Sequence, residues 1–121
     1  MRKSENLRTA RRGEEIAARH LQTKGYRLIE QNYRTRYAEI DLITRYKGIL
    51  VFVEVRTKRN EQFGSPEETI NRNKINKLIK NAQGYMLKKG YNKKYRIDAV
   101  CVLLDKNGEA GRISHYENIT L

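Results

Sequence analysis

The chain has 121 residues, with 26 Lys and Arg against 14 Asp and Glu, a formal charge of +12 and a pI near 10.0. That length suits a single domain, residues 1–121, with one modest core, and so large a basic excess points to nucleic acid as partner before anionic membrane surfaces. The longest apolar run, residues 49–53, is too short for a membrane-spanning helix, no secretory signal follows Met1, and the lone Cys101 excludes an internal disulfide.

Cys101 lies in an apolar run and reads as a buried thiol in a reducing cytoplasm. His20 and His115 stand apart, without zinc-ligand spacing, and read as surface or packing residues. The first helix is expected from about Ser4 or Glu5 to Lys24, stopped by Gly25, with residues 1–11 as a basic N-terminus able to stay flexible. Leu7, Ala10, Ala17, Ala18 and Leu21 make its apolar stripe. Glu14 falls inside that stripe, whereas Glu15 points off it. A carboxylate turned toward a core is costly unless paired, hydrogen-bonded or bound to a metal; an edge position paired with Arg11 or Arg19 is the alternative. Arg2, Lys3, Arg8, Arg11, Arg12 and Arg19 make the remainder basic, as a solvated face or one that tracks phosphates.

Residues 26–33 read as a first strand with imperfect alternation. Glu39-Ile40-Asp41-Leu42-Ile43-Thr44 and Leu50-Val51-Phe52-Val53-Glu54-Val55-Arg56, joined across Lys47-Gly48, read as a β-hairpin with a two-residue turn. A turn centred there sets Tyr46 opposite Ile49, Thr44 opposite Val51 and Asp41 opposite Glu54, with Glu39, Asp41, Ile43, Leu50, Phe52, Glu54 and Arg56 on one face, whereas a three-residue turn would set Val53 opposite Asp41. Directly opposed carboxylates repel unless a cation sits between them, and a hard divalent ion such as Mg²⁺ suits such a pair. An exposed salt-bridge ladder is the bland alternative. Glu39, one step along the strand, fits either an outer position at the site or a pair with Arg56.

Residues 57–64 form a polar, basic loop. Ser65-Pro66-Glu67-Glu68 has the signature of a helix start, with Ser as N-cap and the glutamates capping; Ile70, Ile75, Leu78, Ile79, Ala82 and Met86 form the stripe of that helix, closed by Gly90. Tyr95–Leu104 is expected as an interior strand, apolar on both faces, joined to the hairpin's second arm by a right-handed parallel crossover. Residues 112–116 are expected as a short edge strand. The expected fold is α/β, an αβββαβ order with a mixed sheet flanked by helices.

Arg12-Gly13-Glu14, Ala38-Glu39-Ile40-Asp41-Leu42-Ile43, Leu50-Val51-Phe52-Val53-Glu54-Val55-Arg56, Gly64-Ser65-Pro66-Glu67 and Arg96-Ile97-Asp98-Ala99-Val100 together resemble the PD-(D/E)xK, or restriction-endonuclease-like, nuclease superfamily. More closely they resemble the bacterial YraN-type family of uncharacterised candidate endonucleases, related to archaeal Holliday-junction resolvases. The resemblance runs from about Arg12 to Val102. It implies an αβββαβ core and Mg²⁺- or Mn²⁺-dependent hydrolysis of phosphodiesters. Asp41 and Glu54 would hold the metal, joined by Glu14 and the backbone carbonyl of Val55, with Arg56 in the catalytic set. Two departures stand out: the superfamily's Lys is Arg56, which cannot act as a base, and the family's Gly before Glu-Ile-Asp is Ala38. Lys58 and Lys74 are the candidates for a replacement ammonium.

The expected function is therefore a cytoplasmic, metal-dependent endonuclease acting on DNA in preference to RNA, branched or structured DNA included. The alternative is a non-catalytic nucleic-acid-binding protein on the same scaffold. Arg12, Arg36, Lys58, Arg59, Lys74 and Lys77 are the residues expected to meet nucleic acid. Of the eight tyrosines, Tyr37, Tyr46 and Tyr91 are the expected exposed ones, able to stack on unpaired bases. A homodimer would suit two-fold symmetric substrates.

Overall fold

The computed structural model describes residues 3–120; Met1, Arg2, Leu121 and the side chain of Lys3 lie outside it, and with them part of the expected basic N-terminus. The elements run α1 (Lys3–Thr23), β1 (Arg27–Arg34), β2 (Glu39–Tyr46), β3 (Ile49–Lys58), α2 (Arg72–Lys89), β4 (Tyr95–Leu104) and β5 (Ala110–Tyr116). One five-stranded mixed sheet has the order β1-β2-β3-β4-β5. Only β3 and β4 run parallel, the pair bridged by α2, so the αβββαβ order is present with β5 added at the edge.

Each helix covers one sheet face. Ile16, Ala17 and Leu21 of α1 pack with Leu42, Val51, Val53, Val55, Val100 and Val102. On the other face Leu78, Ala82, Tyr85 and Met86 of α2 pack with Ile40, Ile43, Leu50, Phe52 and Ile97. Alternation along β3 and β4 feeds both cores, and burying a side chain such as Phe52 or Ile97 stabilises by roughly 1.5–3 kcal/mol. The hairpin turn has the expected form: Lys47 (φ 50°) and Gly48 (φ 77°) are both left-handed, the backbone of a type I′ turn. Tyr46↔Ile49, Thr44↔Val51 and Leu42↔Val53 pair as the turn dictates.

Helix α1 differs from its expected stripe. Leu7 is 52% exposed and Ala10 is exposed, while Ile16 takes the core position. Gly13 is the reason: a Cβ there would lie 1.7 Å from Thr57 Oγ1, so the helix touches the sheet closely at Gly13 and its N-terminal turns rise away. Residues 3–11, expected as a stretch able to stay flexible, continue α1 as regular helix.

The start of α2 is also displaced. Residues after Pro66 form only a 3-10 turn, Glu67–Thr69, before Ile70 extends (φ −97°, ψ 114°). The long helix begins at Arg72, capped by Asn71, whose side chain accepts from Lys74 N at 2.9 Å. Only half of the expected Ser65-to-Glu68 box forms: Ser65 N donates to Glu68 Oε2 at 2.7 Å, but the N-cap position of the turn is Pro66, with no side-chain cap, in place of the expected Ser65. What breaks the helix is the β-branched pair Thr69-Ile70 meeting Asn71, a strong N-cap residue. Ile70 and Ile75 are consequently only half-buried. Thr57 and Lys58, expected in the loop, extend β3 by pairing with β4.

Candidate metal centre

The site forms where β2 and β3 part. Their ladder ends at Leu42↔Val53; beyond it the Val55 N–H, which the continued register would direct to Ile40, donates instead to Asp41 Oδ2 at 2.8 Å. The N–H and C=O of one strand residue point the same way. The Val55 carbonyl therefore also lies on the Asp41 side.

Strict alternation fails in β2 at this point. Leu42 belongs to the α1-side core and Ile43 to the α2-side core, as expected, yet Ile40 belongs to the α2 side too. Asp41 and Glu39 are thereby turned toward α1, and the expected common face of Glu39, Asp41 and Ile43 does not exist. The partner strand shows why. Asn32 of β1, between the pairs Gln31↔Leu42 and Tyr33↔Ile40, has a left-handed backbone (φ 52°), a conformation Asn tolerates better than other non-Gly residues. Its amide then donates to Glu14 Oε1 at 3.0 Å and to Glu39 Oε1 at 3.2 Å.

Glu14, Glu39 and Asp41 offer carboxylate oxygens within 4.8 Å of one another, the one such group of three among the described residues. Glu54, 2% exposed, approaches from the α2 side. It pairs with Arg56 Nη1 at 3.1 Å and Lys74 Nζ at 3.5 Å, and its carboxyl meets that of Asp41. Asp41 is the hub. Burial first, then repulsion from Glu54 and Glu14, outweighs the Val55 hydrogen bond and raises its carboxyl to about 8. Glu14 is raised as well, first by burial and then by Glu39 and Glu54, against the Asn32 hydrogen bond. It pairs with neither Arg11 nor Arg19.

These donors fit a hard divalent cation. Octahedral Mg²⁺ at about 2.0–2.1 Å from its oxygens sets trans ligands about 4 Å apart, so carboxylate rotations bring this group into range. The charge balance fits too. Arg56 and Lys74 both engage Glu54, while Asp41, whose carboxyl is pushed well up, forms no ion pair with a cationic side chain among the described residues.

The other expected site residues fall in two groups. Arg56 is held at both ends, with Nε donating to Thr69 Oγ1 at 2.6 Å, and it lies between two open clefts. One, of about 390 Å³, contains Lys74, Lys77 and Tyr37; the other, of similar volume, contains Lys58, Arg59 and Asn6. Arg36 is exposed beside Tyr37. Arg12 stands apart: it grips the β4–β5 turn through Gly108 O (3.1 Å) and Glu109 Oε2 (2.7 Å). Arg59 pairs with Glu5 at 3.5 Å. Glu39 pairs with Arg34 at 2.6 Å, not with Arg56. Tyr37 is 73% exposed, whereas Tyr46 stacks on Tyr26 at 4.0 Å and Tyr91 packs on the α2-side core.

Sequence reasoning missed Asn32 and undervalued Glu39. The available signal was an Asn in the middle of a strand, where that residue is depleted.

A family model described as "Uncharacterised protein family UPF0102" matches residues 13–102. A "UPF0102 protein" of Alkaliphilus metalliredigens is 44% identical over 108 residues, covering 88% of this chain and 90% of its own. Another, from Pelotomaculum thermopropionicum, is 39% identical over 109 residues (89% and 91%). A third, from Persephonella marina, is 42% identical over 92 residues (75% and 79%). The matched span holds all four acids and Asn32. Among the described residues no helix is long and apolar enough to cross a membrane.

Proposed function

The chain belongs to the UPF0102 family, and from that premise and the geometry of its acid cluster we propose that it is a Mg²⁺- or Mn²⁺-dependent endonuclease hydrolysing DNA phosphodiesters, branched or structured DNA included. The observation that carries this reading is the gathering of Glu14, Glu39 and Asp41 oxygens within 4.8 Å, with Glu54 closing on Asp41, in a chain of charge +12. A surface so basic attracts a phosphate backbone. An acid cluster within it has no use in binding phosphate by itself, because carboxylates repel it.

Asp41, Glu54 and Glu14 would hold the ion, with the Val55 carbonyl on the same side and Glu39 as a further donor that the sequence reading placed outside. Bound there, the metal lowers the pKa of a coordinated water and neutralises charge on the phosphoryl oxygens. The chain's own residues supply the rest. Asn32 orients Glu14 and Glu39. Arg56, clamped by Thr69 and Glu54, presents its free edge as a fixed phosphate fork. Lys74 brings an ammonium to within 3.5 Å of Glu54, the replacement that Arg56 makes necessary. Lys77, Lys58, Arg59 and Arg36 line or flank the approach.

The test is incubation of the purified chain with single-stranded, nicked, flap and four-way-junction DNA in Mg²⁺ or Mn²⁺, beside Asp41→Asn. Metal-dependent cleavage lost in the variant supports the reading. Salt-sensitive binding of these DNAs without cleavage, in wild type and variant alike, would leave a non-catalytic nucleic-acid-binding protein.

A further inference from the structure

Asn81, on α2, is 4% exposed, and its amide nitrogen is the one buried side-chain polar atom without a hydrogen-bond partner among the described residues. Its orientation is fixed from the other end. The Thr35 hydroxyl accepts from Tyr37 N (3.2 Å) and Ala38 N (3.4 Å), and of the two acceptors its one proton can reach, Ala38 O at 3.3 Å and Asn81 Oδ1 at 2.9 Å, the nearer is Asn81. The amide therefore keeps its oxygen on Thr35 and its two N–H donors unused. Leaving such a donor unpaired costs about 1–3 kcal/mol, and an uncompensated cost of that kind calls for an explanation.

Asn81 lines a cleft of about 460 Å³ with Tyr33, Thr35, Tyr37, Lys80 and Gly84. Tyr37 stands at its rim, 73% exposed, its hydroxyl accepting from Arg36 at 2.8 Å. The same Tyr37 borders the cleft that holds Lys74, Lys77 and Arg56, and Lys74 and Arg56 contact Glu54. Gly84 is exposed at the cleft's edge, and a Cβ there would meet nothing within 4 Å. An aromatic wall, a buried donor without an acceptor and a lysine at the mouth thus lie on the α2 side of the sheet, the side from which Glu54 approaches the other acids.

We infer that this cleft receives one unpaired nucleobase carrying a ring carbonyl, with Tyr37 stacking on its face, Asn81 donating to its carbonyl oxygen and Lys80 meeting the adjoining phosphate. Tyr37 and Lys80, both exposed, swing aside to admit it. A base within a continuous duplex has neither a free face nor a free Watson–Crick edge, so the cleft selects DNA with a displaced or single-stranded nucleotide. This deepens the endonuclease reading and rests on its nucleic-acid half alone.

The experiment is fluorescence anisotropy of the full chain, without divalent metal, against labelled oligo-dT, the same strand carrying abasic sites, and a blunt duplex. Base–aromatic stacking makes Tyr37→Ala weaken oligo-dT binding about tenfold, with Tyr37→Trp restoring it and the duplex unaffected. Asn81→Asp, which keeps the Thr35 contact and replaces the donor with an acceptor, weakens oligo-dT but not the abasic strand. Equal loss on all three probes, or none on any, overturns the inference. Should Asn81→Asp fail to fold, the Tyr37 series decides alone. Cleavage absent with the dT preference intact would sink only the nuclease reading; cleavage present with no preference would sink only this one.

Discussion

Asp41 Oδ2 accepts the backbone N–H of Val55 at 2.8 Å, so a side chain takes the place of a ladder bond where β2 and β3 separate. That contact holds open the gap into which Glu14, Glu39 and Glu54 project. It also fixes Asp41 among like charges.

Asp41→Asn is expected to abolish metal-dependent cleavage while leaving DNA binding intact or tighter. The amide oxygen still accepts from Val55 N and the repulsion is gone, so the metal-free variant should melt about 2–6 °C higher than wild type, the shift expected from roughly 1 kcal/mol in a domain of this size. Calorimetry in EDTA measures it.

The pH dependence follows from the same group. Burial and the neighbouring Glu54 push the Asp41 carboxyl up to about 8 in the folded protein, against about 3.9 in an unfolded chain. The folded state holds the proton more tightly, so this contribution to stability is fully present below the unfolded value and is lost as pH rises toward 8. In EDTA, the wild type should lose stability relative to Asp41→Asn across that window. Parallel melting curves would contradict it.

Gly13→Ala puts a methyl 1.7 Å from Thr57 Oγ1. Overpacking of this kind costs about 1–3 kcal/mol, and relief by lifting α1 would withdraw Glu14 from Asn32 and Asp41. Weaker Mn²⁺ binding together with a lower melting point is expected. Ala at a solvent-facing helix position would instead stabilise.

The hairpin's turn and its register from Tyr46↔Ile49 to Leu42↔Val53 were legible in the sequence, because Lys47-Gly48 admits one turn geometry; the expected pair Asp41↔Glu54, one step further on, is not formed because the strands part there. The face of Asp41 was not legible. Period-2 reasoning assumes an unbroken pleat, and the left-handed Asn32 on the neighbouring strand interrupts it. Gly13 was visible in Arg12-Gly13-Glu14, but its contact with Thr57 depends on packing between elements 44 residues apart in the chain. The break before α2 was written in Asn71, a second cap six residues after Ser65, with an extended Ile between the two.

Away from the site, Asp98 holds the edge of the sheet. It is fully buried and accepts from Arg96 (2.8 Å), His115 (2.8 Å) and Asn118 N (3.0 Å). Those hydrogen bonds outweigh burial and keep its carboxyl below the usual range. Its stabilisation is present above the unfolded value and lost as pH falls through the folded one. Asp98→Ala, leaving Arg96 only the exposed Glu117 carboxylate at 3.4 Å and the Tyr26 hydroxyl, should cost about 3 kcal/mol in urea unfolding.

Lys74→Met tests the ammonium that Arg56 does not supply. Removing one electrostatic stabiliser of a transition state typically costs about 10²–10³ in rate, so cleavage should fall by that order while DNA affinity changes by less than about tenfold. Equal losses in both would reduce Lys74 to a phosphate contact.

The central claim, that four acids converge to hold one divalent ion, is tested most directly by Mn²⁺ titration followed through the EPR signal of the free ion. Wild type should remove Mn²⁺ at a single saturable site that Asp41→Asn lacks. A titration in which the two proteins behave identically would contradict it.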